Sequence, residues 1–269
     1  MITSAQLANG IRHHALQMVA EANASHIGGV LSMADIMGVL YAEVLNIRPE
    51  DPSWPERDRF ILSKGHCCAG VYAALALRGF FPLEELDSYG KNGSRLMTHI
   101  SHKVPGVEFS TGSLGHGLPF ACGKALAAKR LSQTWRNVCL VSDGELDEGS
   151  NWEAILFAPQ HQLDNLTLIV DYNKIQSFGS VTDVLELHPL ADKFRAFRWA
   201  VREVDGHNHA ALRRVFAEMP WERSRPSVLI AHTTKGKGVD FMENELQWHY
   251  SSPRGELLAS ALKQVEETP

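Results

Sequence analysis

Leu7, Ile11, Ala15 and Met18 recur at helical spacing, which predicts an amphipathic helix from Ser4 to about Glu21, capped by Ser4. Gly28 and Gly29 then read as an interruption. Residues 32–45 are apolar on nearly every side, a pattern that implies burial against several neighbours. Three prolines and dense charge mark residues 48–59 as an exposed loop. Residues 60–66 read as a short strand running into a turn, and residues 67–77 as an Ala-rich helix. Pro82 opens a short helix whose acidic residues suit its N-terminal dipole. A glycine-rich stretch, residues 91–117, precedes an apolar helix from Leu118 to about Leu131. From there the chain alternates. Strands are predicted at 137–141, 165–173, 199–204 and 227–233, with helices at 148–162, 188–199 and 209–219 between them. Short apolar strands separated by helices of this length predict an α/β fold, a parallel central sheet with helices on both faces. No repeat or low-complexity linker divides the chain, so residues 1–269 are expected to form one domain.

Composition narrows the function classes. The 269 residues are 44% hydrophobic and 21% charged, ordinary globular values, with a net charge of −5. The acidic balance argues against nucleic acid as a partner. No uninterrupted apolar stretch approaches the roughly 20 residues of a membrane span, and the first residues lack a basic region followed by an apolar core. Cys67, Cys68, Cys122 and Cys139 sit in apolar stretches without metal or disulfide spacing, as expected of a cytoplasmic protein.

Open parallel sheets bind ligands beyond the carboxyl ends of their strands. Three polar loops fall there: residues 142–144, 171–173 and 233–236. Asp143 and Asn173 end consecutive predicted strands joined by one helix, which would bring their side chains together. A carboxylate, an amide oxygen and a nearby backbone carbonyl are hard oxygen ligands suited to Mg²⁺, which leaves other positions to water and phosphate oxygens. Gly144 permits close approach of phosphates, and the following helix can direct its N-terminus at them. Taken singly, an Asp after a strand and an Asn in a turn are also ordinary loop residues. Of 13 histidines, His26, His66, His99 and His116 lie beside glycine or in glycine-rich loops, where an imidazole can reach a ligand. His13, His14, His161, His207 and His209 are expected at the surface. A dinucleotide-binding reading fails, because residues 112–117 do not follow a strand and lack the acidic residue at the required distance; no P-loop pattern is present.

Four blocks together resemble the thiamine-diphosphate signature of transketolases: LSKGH at 62–66, STGSLGHG at 110–117, SDGELDEGSNWEA at 142–154 and LDNLTLIVDYNKIQ at 163–176. Their order and spacing agree with the family, and the likeness covers nearly the whole chain, although a full-length transketolase is over twice as long. The chain therefore resembles the amino-terminal, diphosphate-binding half of a split transketolase. This resemblance implies that Asp143, Asn173 and the carbonyl of Ile175 bind Mg²⁺, and that His66, Gly112, Ser113, Leu114, Gly144, Glu145 and Asn173 contact thiamine diphosphate. It also implies catalytic roles for His26 and His99 facing substrate, for Glu148 in a carboxylate relay between subunits, and for His249 near the diphosphate. The reaction implied is transfer of a two-carbon ketol unit from a ketose, phosphorylated in the usual case, to an aldehyde. The chain would act with a carboxy-terminal, pyrimidine-binding partner, as an α2β2 heterotetramer.

Some residues depart from the family pattern. Ser142 stands in place of Gly, Ile27 and Ser113 in place of Pro, His116 in place of Gln, and Thr98–Ser101 in place of a Gly-His-Pro-Glu block. These changes crowd the substrate side, so the resemblance does not fix the donor and acceptor as the ordinary pentose phosphates. Two alternatives stay open on the residues alone: the α subunit of a 2-oxoacid dehydrogenase or acyloin-forming enzyme, and a non-catalytic regulatory subunit. The apolar segments 32–45 and 69–77 are expected to serve as surfaces buried against the partner.

Overall fold

The computed structural model describes residues 2–267. In chain order the elements are α1 (Ser4–Glu21), α2 (Ile27–Val39), β1 (Arg59–Leu62), α3 (Cys68–Leu77), α4 (Gly117–Arg130), β2 (Asn137–Ser142), α5 (Gly149–Gln160), β3 (Leu166–Tyr172), α6 (Val181–Val184), α7 (Leu190–Ala196), β4 (Ala200–Asp205), α8 (His209–Ala217), β5 (Ser227–His232) and α9 (Glu256–Glu267). The five strands form one wholly parallel sheet in the order β1-β2-β3-β5-β4. All five predicted strands are present.

Side chains alternate across this sheet and feed two cores. Val138, Leu140, Ile169, Leu229 and Ala231 face a layer built from α1, α2 and α3, while Cys139, Val141, Leu168, Val170, Val228 and Ile230 face α4 and α5. Burial on both faces is why these strands read as continuous apolar runs.

Several local expectations change. Thr3, not Ser4, caps α1, in a reciprocal capping box with Gln6. Gly28 and Gly29 lie inside α2 rather than breaking the chain. A Cβ on Gly28 would stand 3.2 Å from Lys235, and one on Gly29 would stand 2.8 Å from the Cys67 sulfur. These glycines permit close packing; they do not end a helix. A π-turn, Leu40–Val44, extends α2, and Ile27–Val44 is long and apolar enough to cross a membrane, yet 83% of it is buried inside the fold. Every residue of α2 is buried, as is α3 as far as Ala76. Both segments are internal core packed against α1, so they are not the partner-facing surfaces expected from their composition. Pro82 precedes a 3₁₀ turn, Leu83–Ser88, rather than an α-helix. The amphipathic α9 lies beyond the elements read from the sequence, although Leu258, Ala261, Leu262 and Val265 recur at helical spacing; Ala261 and Val265 on its inner face join the α1–α3 core.

Candidate active site

A cavity of about 480 Å³ opens at the carboxyl ends of β2, β3 and β5, where the three polar loops were expected to converge. The Ser142↔Asp171 register of β2 and β3 puts Asp143 beside Asn173, as the strand–helix–strand spacing implied. Asp143 is almost wholly buried and accepts hydrogen bonds from backbone: Gly144 N–H at 2.8 Å and Lys174 N–H at 2.5 Å. Lys174 adopts φ +70, which turns its N–H back toward that carboxylate. Burial, reinforced by the Asp171 charge, raises the Asp143 pKa to about 6. A buried carboxylate that pairs with no cationic side chain among the described residues is a strong attractor for a metal ion. Asn173 and Ile175 line the same cavity, where Asn173 Oδ1 accepts from Ile175 N–H at 3.2 Å and the Ile175 carbonyl accepts from Lys235; with Asp143 the donors these residues offer are hard oxygens, which fit Mg²⁺. Among the described residues no group of three His, Cys, Asp or Glu side chains is arranged to hold a metal ion.

Four imidazoles gather on the same cavity. His26 lies 4.8 Å from His66, 4.9 Å from His249 and 6.1 Å from His99, centroid to centroid, and His66 lies 5.8 Å from His249. His26 caps α2 in a left-handed conformation and donates its backbone N–H to the His249 carbonyl. Burial, then His99 and Lys235, lower His26 to about 4, while burial and Lys235 lower His249 to about 3; His66 is pushed well below its usual value by burial and His26. These three rings are neutral at neutral pH, so they can accept as well as donate protons. His99, Gly112 and Leu114 line the cavity beside them, and a Cβ on Gly112 would touch the His99 ring at 3.5 Å.

Beneath the cavity lies a buried ion pair. Lys64 Nζ contacts Asp171 at 2.5 Å and the Gly29 carbonyl at 2.9 Å; Asp171 also accepts from Ser32 and Thr233. Burial is the largest single influence and lowers the Lys64 pKa, but the charge and hydrogen bond of Asp171 together with Cys67 and Asp143 outweigh it, and the net shift is upward. Lys235, also buried, donates to the Ile175 carbonyl at 2.8 Å and sits 3.2 Å from His249 Nδ1. Among the described residues it enters no ion pair.

The site residues expected from sequence are therefore mostly together. His26, His66, His99, Gly112, Leu114, Asp143, Gly144, Glu148, Asn173, Ile175 and His249 all line the cavity. Two do not. Glu145 is fully buried away from it, accepting from Ser63 and from Gly115 N–H, with its carboxyl pKa raised by that burial. Its place is to tie the glycine-rich loop to the metal loop. Ser113 is exposed and its side chain lies outside the lining, although both of its neighbours line the cavity. Lys64 and Lys235 were missed as site residues. Both stand in motifs that the sequence picks out, but a lysine after a strand is ordinarily solvated, and only burial reveals these two. His116 is exposed and bonds the Leu114 carbonyl. His207 and His209, expected at the surface, instead bond the buried Asp35.

The chain is similar to known proteins over nearly its whole length. Residues 3–265 match the family described as transketolase, thiamine diphosphate binding domain. The chain is 39% identical over 256 residues to one of the subunits of the apulose-4-phosphate transketolase of Phocaeicola vulgatus, covering 95% of this chain and 91% of that one. It is 39% identical over 261 residues to the 6-deoxy-6-sulfo-D-fructose transketolase subunit SqwG of a Clostridium species, covering 97% and 95% of the two chains. Among solved structures, transketolase from Leishmania mexicana superposes with a TM-score of 0.93 at 30% identity, covering 99% of this chain and 42% of that one. The chain thus spans less than half the length of that transketolase but nearly all of the two subunits.

Proposed function

Because the chain belongs to the transketolase family, as a thiamine diphosphate-binding member, we propose that it is the diphosphate-binding subunit of a two-chain, Mg²⁺-dependent transketolase. The observation that carries the metal assignment is Asp143, a buried carboxylate bonded to no cationic side chain among the described residues, next to Asn173 Oδ1 and the Ile175 carbonyl. Asp143, Asn173 and Ile175 would hold Mg²⁺. Gly144, His66 and Lys235 would surround the diphosphate. When bound, the cofactor supplies the electron sink for cleaving and forming the carbon–carbon bond of a ketose. The chain's own residues orient and move protons. The neutral imidazoles of His26 and His249 can take a proton from a donor hydroxyl and return it to an acceptor carbonyl oxygen, and His99 borders the same space to position those hydroxyls.

The partner would be the carboxy-terminal, pyrimidine-binding chain, in an α2β2 assembly in the cytoplasm. Two features support this reading. Glu148 is exposed at the cavity rim, free to meet a carboxyl group from another chain, and Phe178, on the same rim, is 82% exposed. An aromatic this bare beside a ligand cavity is typical of a surface covered on assembly. Ketol transfer from a ketose phosphate to an aldehyde, assayed with the two chains mixed and with each alone, tests the proposal. Activity is expected only from the mixture with thiamine diphosphate and Mg²⁺; full turnover by this chain alone would overturn it.

A further inference from the structure

Asp35, on the face of α2 turned away from the cavity, gathers four hydrogen bonds. Arg12 holds it with two, Nη1 to Oδ1 at 3.0 Å and Nη2 to Oδ2 at 2.6 Å. His209 Nε2 reaches Oδ1 at 3.1 Å and His207 Nδ1 reaches Oδ2 at 2.7 Å. The backbone fixes the chemistry of His207. Thr234 N–H donates to its Nε2 at 2.8 Å, so Nε2 carries a lone pair and the ring proton sits on Nδ1, donated to Asp35. The next residue after Thr234 is Lys235.

The loop carrying Lys235 is held from the same side at two further points. Arg12 Nε donates to the Lys237 carbonyl at 3.1 Å, and Gly236 N–H donates to the Gly28 carbonyl at 2.9 Å. Gly206 belongs to this arrangement. A Cβ there would stand 2.5 Å from Thr233 Cγ2, so only glycine lets the turn after β4 press His207 against the loop. From these contacts we infer that His207, anchored on Asp35, is a positioning residue for Lys235, setting where its ammonium meets the anionic cofactor. The inference rests on the proposed reading of the cavity as the diphosphate site. His207 does not line the cavity, and it acts through the Thr234 peptide.

The test is a double-mutant cycle on the affinity of the assembled two-chain enzyme for thiamine diphosphate with Mg²⁺, measured by calorimetry. His207→Ala is expected to weaken binding about tenfold to a hundredfold, the usual range for a group that orients a ligand-binding residue. His207→Gln places an amide oxygen where Nε2 stands and should restore affinity to within about threefold of the native enzyme. In a Lys235→Ala background, His207→Ala should cost less than about twofold, because the group that it positions is gone. Equal losses with and without Lys235, or a His207→Gln enzyme as weak as His207→Ala, would overturn the proposal while leaving the site reading intact. Normal affinity in both Lys235→Ala and Asp143→Ala would overturn the site reading, and the proposal with it.

Discussion

Replacing Asp171 with Asn changes one oxygen for an amide at almost constant volume, and so isolates charge. Lys64 has 1% of its side chain exposed and Asp171 none, and their contact is 2.5 Å. Removing one partner from a buried pair of this kind costs about 3–5 kcal/mol, because the remaining charge keeps its desolvation penalty without its attraction. Hydrogen bonding adds to the loss. Asp171 accepts from Lys64, Ser32, Thr233 and Asn173, and an amide in its place offers one oxygen in place of two. A protein of this size loses about 2–4 °C of Tm per kcal/mol, so Asp171→Asn should lower Tm by about 10 °C.

Thermal unfolding by circular dichroism, with a urea titration alongside, measures the loss. A second variant makes the cause visible. In Lys64→Met/Asp171→Asn neither charge remains, and the double variant should be more stable than Asp171→Asn alone although it carries one more substitution. An Asp171→Asn protein within about 1 kcal/mol of native, or a double variant showing the sum of the two single losses, would refute the buried-pair argument. The effect should also reach the site, since Asp171 precedes Asn173 by two residues and its partner Thr233 precedes Lys235 by two.

Asp143→Ala should abolish Mg²⁺-dependent binding of thiamine diphosphate to the assembled enzyme while leaving the unfolding transition in place; calorimetry showing native affinity would contradict the metal assignment. His99→Ala should lower kcat/KM by about tenfold to a thousandfold with cofactor affinity largely kept, and an equal loss of cofactor affinity would place His99 at the diphosphate instead. For the cofactor-free chain, stability should fall as pH drops below about 6.5. His26 and His249 have folded pKa values near 4 and 3, so the unfolded chain binds their protons first across that window. Asp143, raised to about 6, works in the opposite direction between about pH 4 and 6, but it is one group against the histidines. A Tm that is flat from pH 7 to 5, or a His249→Asn variant with the native slope, would refute this.

Much of the fold was legible because it rests on local pattern. The strands ending at Ser142 and Tyr172 are apolar runs bounded by polar turns, and their pairing follows from one crossover helix. Gly28 and Gly29 misled because glycine ends helices and also lets helices pack closely, and the Cys67 and Lys235 contacts that decide between these come from other parts of the chain. Glu145 and Glu148 are three residues apart in one motif. One is fully buried and the other exposed on the rim, a difference set by the tightness of the turn after β2 and by Ser63, 82 residues away from Glu145. His207 bonds a carboxylate 172 positions away, a contact that no periodicity can signal.

The cavity at the carboxyl ends of β2, β3 and β5 gathers opposite charges from separate loops. Its charges are arranged for an anion and a metal: among the described residues Asp143 pairs with no cationic side chain and Lys235 with no anionic one, and neutral imidazoles line the same cavity. Lys235 already donates to the Ile175 carbonyl at 2.8 Å and stands 3.2 Å from His249, and a metal at that carbonyl would displace the first of these contacts. Apart from that contact, such preorganisation places fixed dipoles where charge will sit and spares reorganisation at the moment of reaction. It also explains why the supporting contacts are so extensive. The Lys64–Asp171 pair and the Asp35 hub anchor the segments that carry Asn173 and Lys235.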